Sequence, residues 1–343
     1  MGVDIESMGM TDKRLKVRAR HIMPGSLFLI ICTPPVAAQE LEDAGPQERR
    51  ELATLQIHRA AAGLPGDGLT DLLLSWKLGE PVGQVVTLDA LATPPSGVDP
   101  ALPLALYAAN FSRLGKDPVE ARLIAERLRL AAVRNSYYAI SLMGVAESLG
   151  DAALQREALR LAANAGVYGT PFTESVDKTL LRYERLSPDL FGNQPEHLRG
   201  YEPMWDLTVD ILPRFSPWLG LCKKPAADAA EDCASFARRV MEDSDTTLES
   251  TFAAAILDFH EQARTGVETF SHRREHHWIQ IQSTPFLEKL DQWPVADATA
   301  YIDRFRSEGE RAAMLQLLVD RGIATEPPVG WRSPAEKPIG SDE

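Results

Sequence analysis

Residues 135–165, NSYYAISLMGVAESLGDAALQREALRLAANA, decide the fold class of this chain. On both sides of the Gly150-Asp151 pair, apolar residues recur at the spacing of one face of an α-helix. Glycine commonly ends a helix, and aspartate commonly begins one, because its side chain accepts a hydrogen bond from a free backbone amide. The stretch therefore predicts two amphipathic helices joined by a tight turn at Gly150-Asp151.

The same pattern continues in both directions along the chain. Upstream, Asp117-Pro118-Val119-Glu120 predicts the start of a helix, with Asp117 accepting an amide and Glu120 reaching back as in a capping box. Strand-like alternation is confined to Val82–Leu88 and Trp278–Gln282. Helices joined by short turns pack as antiparallel neighbours, so the sequence predicts an all-α fold of antiparallel helical hairpins with little or no β structure. The other predicted helices cover residues 47–62, 100–114, 173–186, 226–242, 247–265, 296–307 and 310–321.

Two of the predicted hairpins resemble each other. Leu114-Gly115 and Leu149-Gly150 stand 35 residues apart, and an acidic residue and an Ala/Leu-rich helix follow each pair. A period of about 34 residues is that of tetratricopeptide repeats, and residues 139–165 resemble one such repeat. The resemblance implies stacked hairpins whose concave face binds a protein or peptide. Generic helical hairpins with similar turns are the alternative.

Residues 1–38 have the features of a secretory signal peptide. Basic residues at 13–20 precede a short apolar core at 26–32, and Val36-Ala37-Ala38 supplies small residues for cleavage. The apolar core is shorter than the roughly 20 residues that a membrane-spanning helix needs. We therefore expect a periplasmic or secreted protein with no membrane span after cleavage. The whole chain is similar to uncharacterised secreted helical proteins of Gram-negative bacteria, a resemblance that implies no activity.

Composition suggests three regions after residue 38. We assign residues 39–190 to an N-terminal helical-hairpin region and residues 191–325 to a C-terminal helical region. Residues 326–343 are rich in proline and charge and are predicted to be a disordered tail. Residues 168–221 contain six prolines, so outside the helix at 173–186 this stretch predicts a long, partly ordered connector.

Trp205 and Trp218 lie in this proline-rich stretch and are candidate partner-binding residues. Loops rich in proline and aromatic residues often form binding surfaces. The alternative is that these rings fill gaps between layers of helices.

The net charge narrows the class of binding partner, and the cysteines predict a disulfide bond. The formal net charge of −13 disfavours nucleic acid and anionic lipid, because both require a cationic face that displaces counterions. In an oxidising compartment, Cys222 and Cys233 predict a disulfide bond, with two buried thiols as the alternative. We expect a protein or peptide partner in the cell envelope, and we predict no cofactor.

The sequence His272-Arg273-Arg274-Glu275-His276 matches HxxEH, the motif of inverted zinc proteases. On a helix, His272 and His276 lie one turn apart and could bind one metal, with Glu275 as the base. That family takes its third ligand from a distant glutamate, and here the only acidic residues at a comparable distance lie in the tail, at Glu336, Asp342 and Glu343. A solvated, charged helix end or loop explains the same residues. The sequence therefore favours a non-catalytic protein- or peptide-interaction module, with a metal-dependent hydrolase as the alternative.

Overall fold

The computed structural model describes residues 45–78, 97–114, 117–266, 269–334 and 336. Over these residues the chain is almost entirely helical and contains no β-strand, so the predicted all-α class is confirmed. The predicted signal peptide and the strand-like stretch Val82–Leu88 lie outside the described residues. The α-helices are, in chain order, α1 (Pro46–Ala62), α2 (Gly68–Leu78), α3 (Leu102–Leu114), α4 (Pro118–Ala132), α5 (Tyr137–Leu149), α6 (Ala152–Asn164), α7 (Phe172–Tyr183), α8 (Tyr201–Thr208), α9 (Ser216–Lys223), α10 (Ala230–Asp243), α11 (Thr247–Thr265), α12 (Ser271–Leu287), α13 (Val295–Glu308) and α14 (Glu310–Asp320).

Helix α5 is at the centre of the helical packing. It packs against α3, α4, α6 and α9, and its side chains are buried on nearly every side. The turn after it has the geometry that the sequence predicts. Gly150 adopts the left-handed conformation with φ 67°, and Asp151 accepts hydrogen bonds from the amides of Ala153 and Leu154 at 3.1 and 2.9 Å.

The start of α4 differs in part from the predicted capping box. Asp117 accepts from the amide of Val119, the second helical residue, at 2.8 Å, where a capping box would use the amide of the third, Glu120. Glu120 does not reach back to the cap. Its carboxylate instead accepts from the hydroxyl of Tyr107 at 3.0 Å, which joins α4 to α3. A long-range partner has replaced the local one.

Helices from both predicted regions pack together. The described residues from Gln47 onward form one compact unit, in which α6 packs against α10 and α7 against α13. One cluster of buried apolar side chains extends through it from Ile57 to Leu317. A second, small cluster consists of Ile279, Met314 and Leu318.

The stretch 168–221 is helical where the sequence predicts a loose connector. It forms α7, α8, α9 and three short 3-10 turns. Its aromatic side chains enter the core, and Tyr168, Phe172 and Trp218 are among the largest fully buried residues. The prolines permit this because Pro217 lies at a helix start, where a missing amide costs no hydrogen bond. Trp278–Gln282, the other strand-like stretch, lies inside α12.

The two predicted disulfide partners are adjacent in space. Cys222 on α9 and Cys233 on α10 have their Cα atoms 5.7 Å apart and their sulfur atoms at bonding distance. Both residues are buried at 1% exposure. The pair therefore connects two successive helices inside the core.

Part of the predicted disordered tail packs on α12. The ring of Trp331 lies 5.3 Å from that of Trp278, and Ser333 hydrogen-bonds to His277 at 2.6 Å. The carboxylate of Glu336 forms an ion pair with Arg274 at 3.0 Å. This segment is ordered because specific distant partners hold it, which composition does not reveal. Within the described ranges, every helix is too short or too polar to span a bilayer.

Candidate functional site

The predicted metal residues lie on one helix, where contacts with other helices engage this part of the chain. Asp258 of α11 accepts from the backbone amide of His272 at 3.0 Å and pairs with Arg273 at 2.7 Å. Glu275 faces Arg311, with 3.6 Å between their charged atoms. The carboxylate that the motif assigns as a base therefore neutralises an arginine of α14.

His276 is buried in this arrangement. Its ring is 1% exposed, and neither nitrogen has a hydrogen-bond partner. His272 is half-exposed and lies 3.8 Å from Glu261 instead. Among the described residues, no three His, Cys, Asp or Glu side chains come together as a metal-binding group. The structure therefore gives the metal-dependent hydrolase no assembled centre.

Burial makes His276 sensitive to acid. Burial, and then the charge of Arg311, lower the pKa of His276 from 6.5 to about 4. Between these values the unfolded chain binds more protons than the folded chain, so stability is complete above pH 6.5 and is lost as pH falls towards 4.

We expect His276→Leu to remove this acid sensitivity. At about pH 5 the wild-type histidine lowers the free energy of unfolding by about 2 kcal/mol relative to neutral pH. Urea unfolding of both proteins at the two pH values measures the difference between them. His272→Leu, a change to a half-exposed ring on the same helix, is the control. An unchanged pH dependence in His276→Leu would contradict a buried, neutral imidazole.

The two tryptophans predicted to bind a partner lie inside the molecule to different extents. Trp218 is 0% exposed, so its assignment to a binding surface is wrong. Its ring packs against Phe236 with centroids 4.5 Å apart. Trp205 is half-buried between Phe172 and Phe305, at centroid distances of 5.6 and 5.1 Å. The ring of Trp218 therefore fills a gap between helices, whereas the part of Trp205 that stays exposed leaves its binding role a prediction.

A cavity of about 450 Å³ lies between α1, α2 and α8. Its size falls within the range of small-ligand and side-chain binding pockets. Eight of the nine lining residues are polar or charged, with charges of both signs, although most of the exposed lining surface comes from their apolar atoms. The lining residues are Gln47, Arg50, Glu51, Thr54, Leu55, His58, Lys77, Glu202 and Asp206.

Behind this cavity, side chains of three helices form a hydrogen-bonded network, and a fourth helix adds an ion pair to it. His58 of α1 is 1% exposed, and its Nδ1 lies 2.7 Å from the hydroxyl of Tyr183 on α7. Its Nε2 lies 3.0 Å from Asp206 on α8. Lys77 of α2 adds an ion pair to the other oxygen of Asp206 at 2.9 Å. Four helices are therefore joined by this network.

The charge of Asp206 determines which nitrogen of His58 carries a proton. Burial alone would raise the pKa of Asp206, but hydrogen bonds from His58 and Lys77 outweigh it and hold the pKa below its usual value. An ionised carboxylate can only accept, so Nε2 of His58 carries a proton. In the neutral ring, Nδ1 then accepts from the hydroxyl of Tyr183.

The hydrogen-bonded side chains of Asp206, His58 and Tyr183 lack the properties of a catalytic triad. Tyr183 is 1% exposed and is not part of the cavity lining. Burial, and then the charge of Asp206, raise the pKa of Tyr183, so its hydroxyl stays protonated. His58 is hydrogen-bonded on both sides, as the histidine of a triad is, but the hydroxyl it meets there, that of Tyr183, is buried away from the cavity. The arrangement can hold a ligand rigidly, but it offers no activated nucleophile.

A second buried carboxylate, Glu249 on α11, also has a structural role. It accepts from Tyr168 at 2.6 Å and from the hydroxyl and amide of Thr246, with which it forms a capping box. Burial raises the pKa of Glu249 to about 7 in spite of these hydrogen bonds. The carboxylate closes the start of α11 inside the core and is not part of the lining of the cavity between α1, α2 and α8.

Sequence reasoning missed the cavity residues. His58 follows Ile57 directly and precedes the buried Ala61, so a polar ring stands within an apolar stripe. That position is a weak signal of a buried hydrogen-bond network. The partners Tyr183 and Asp206 lie 125 and 148 residues away in sequence, where no local pattern connects them.

Comparison with known proteins adds no relationship. No family model matches the chain, and no curated protein or solved structure matches it either.

Proposed function

We propose that this protein is an exported, non-catalytic protein- or peptide-interaction module with a tetratricopeptide-like arrangement of hairpins. The observation that carries the proposal is the cavity between α1, α2 and α8, whose wall is rigid and whose charged groups are not arranged for catalysis. The predicted signal peptide and the pairing of Cys222 with Cys233 support export to the cell envelope.

The lining of the cavity fits a polar peptide segment. Arg50 suits a carboxylate of the ligand, since Lys77 is already paired with Asp206, whereas Glu51 and Glu202 suit an amine or a guanidinium. Leu55 adds an apolar contact on α1. Alternating charges of this kind recognise a chain that carries both signs, and they select against a uniformly charged polymer.

Filling the cavity tests the proposal. Thr54 is a half-buried lining residue, so a tryptophan there would occupy the space. Peptides selected from a random phage-displayed library on the wild-type protein are the probe. We expect Thr54→Trp to raise the dissociation constants of these peptides by at least about tenfold, because the ring excludes the peptide from the cavity.

The same chain offers a matched control. Gln56 is exposed on α1 and is not part of the lining, so Gln56→Trp places an identical ring outside the cavity. We expect this variant to bind the selected peptides like the wild type, as measured by titration calorimetry. The proposal fails if the library yields no peptide that binds, or if both tryptophan variants bind equally well.

A further inference from the structure

Helix α4 has an apolar outer face that no described helix covers. Its inner face packs on α5 and contributes the buried residues Ile124 and Leu128. The outer face carries a stripe of aliphatic side chains at helical spacing. These are Val119, Leu123, Leu130 and, directly after the helix, Val133, with exposures of 67%, 45%, 73% and 58%.

These side chains share one side of α4, as two pairs on either side of the exposed Glu126. Positions 119, 123, 130 and 133 project within less than a quarter-turn of one another, because an α-helix has 3.6 residues per turn. Single exposed apolar residues are ordinary on a protein surface, but several in one patch mark an interaction site. In a stack of helices, an outermost face without a partner is normally polar.

Arginines flank the stripe on both sides. Arg122 and Arg129 lie along one edge, and Arg127 and Arg134 lie along the other. Glu126 is the one exposed acid within the stripe, since Glu120 accepts from Tyr107. Arg129 already pairs with Glu157 of α6 at 2.6 Å. The face is therefore locally cationic on a chain whose formal net charge is −13.

We propose that this face of α4 docks an amphipathic helix of another protein, one whose apolar stripe is flanked by acidic residues. Aliphatic side chains would pack along the stripe, and carboxylates on both flanks of the partner would meet the arginine edges. A second copy of α4 fits less well, since it would bring arginine edges together. The site lies on a different helix from the cavity, so the inference goes beyond the function proposed above.

An anionic membrane is the competing class of partner, and the surface favours it less. Helices that lie in a membrane interface usually bury tryptophan, phenylalanine or leucine. The stripe contains no aromatic residue and two of its four members are valines. The strongly acidic chain would also be repelled from an anionic surface beyond the immediate contact.

Two synthetic helical peptides of about five turns test the proposal with the full chain. Both carry leucines along one side, and the flanks are glutamates in one peptide and lysines in the other. We expect the acidic peptide to bind and the basic peptide to bind at least about tenfold more weakly. Leu130→Glu should weaken binding of the acidic peptide by a similar factor, because it removes an aliphatic contact and adds a negative charge that repels the glutamates of the peptide.

Controls separate this face from the rest of the surface. Val295 on α13 is exposed at 61%, so Val295→Glu is a matched change elsewhere and should leave binding intact. Thr54→Trp, which fills the cavity, should also leave it intact. The proposal is overturned if the acidic peptide does not bind, or if it binds Leu130→Glu as well as the wild type.

Two further results would assign the face to a different occupant and likewise overturn the proposal. One is a wild-type dimer, measured by light scattering, that Leu130→Glu converts to a monomer. The other is co-sedimentation with phosphatidylglycerol vesicles that Leu130→Glu abolishes while neither peptide binds.

Discussion

Replacing Trp218 by alanine will lower the free energy of unfolding by about 4 kcal/mol. The indole ring is 0% exposed and is the largest fully buried side chain of the described residues. It packs against Phe236 of α10 with centroids 4.5 Å apart and against Phe215 at 6.5 Å. Removal of the ring leaves a large cavity at the junction of α9 and α10, which rigid helices cannot close.

The surroundings of Trp218 make collapse of that cavity difficult. Cys222 lies one turn further along α9 and is tied to Cys233 on α10. Pro217, the residue directly before Trp218, packs on α5, where a Cβ at Gly144 would lie in van der Waals contact with its ring at 3.6 Å. Helix α9 is therefore held on two sides, so the lost contacts are not replaced.

Trp218→Phe is the control for this prediction. The indole nitrogen of Trp218 has no hydrogen-bond partner. Phenylalanine removes this unsatisfied donor and keeps one aromatic ring, so part of the loss in packing is offset. We expect a destabilisation well below that of Trp218→Ala, as measured by urea unfolding followed by circular dichroism. If Trp218→Ala lowers the free energy of unfolding by less than about 1 kcal/mol, the indole ring does not contribute substantially to the packing of the core.

Trp218 also shows why local sequence could not assign its role. The prolines around it are as typical of a loop that binds ligands as of short helices that start at proline. Whether an aromatic ring is covered depends on α5 and α10, which both lie outside the proline-rich stretch. By contrast, the α5–α6 turn was predictable because Gly150 and Asp151 act on their own neighbours.

The HxxEH cluster shows the same limit of local sequence, here for charged residues on the surface of a helix. The spacing of His272 and His276 on one helix was predictable, and α12 confirms that both residues lie on a helix. Their environment was not, because Asp258, Arg311 and Glu336 come from three other segments. Ion pairs with these residues account for the charges of the cluster without any metal.

The second large effect concerns Arg182, and we expect Arg182→Met to lower the free energy of unfolding by about 3 kcal/mol. The Arg182 side chain is 2% exposed. Its guanidinium donates to the carbonyl of Ala61 at 2.8 Å, to the carbonyl of Leu64, and to Asp71 at 2.5 Å. One side chain of α7 therefore holds the end of α1, the following loop and the start of α2.

A neighbouring arginine supplies the control. Arg185 is exposed, lies one turn further along and donates to the carbonyl of Pro65 at 2.7 Å. Because its single hydrogen bond competes with water, Arg185→Met should have a small effect. Similar losses for the two variants would contradict a special role of the buried guanidinium. Urea unfolding measures both.

The loop itself supplies an independent check through Gly66. A Cβ at this position would lie 2.0 Å from a guanidinium nitrogen of Arg182, so Gly66→Ala forces the two apart. We expect Gly66→Ala to be destabilising in the wild type and much less so in the Arg182→Met background, since the obstructing nitrogen is then absent. Additive effects in this double-mutant cycle would contradict the contact. Because α1 and α2 also line the cavity, Arg182→Met should weaken peptide binding there as well, even at temperatures where the variant stays folded.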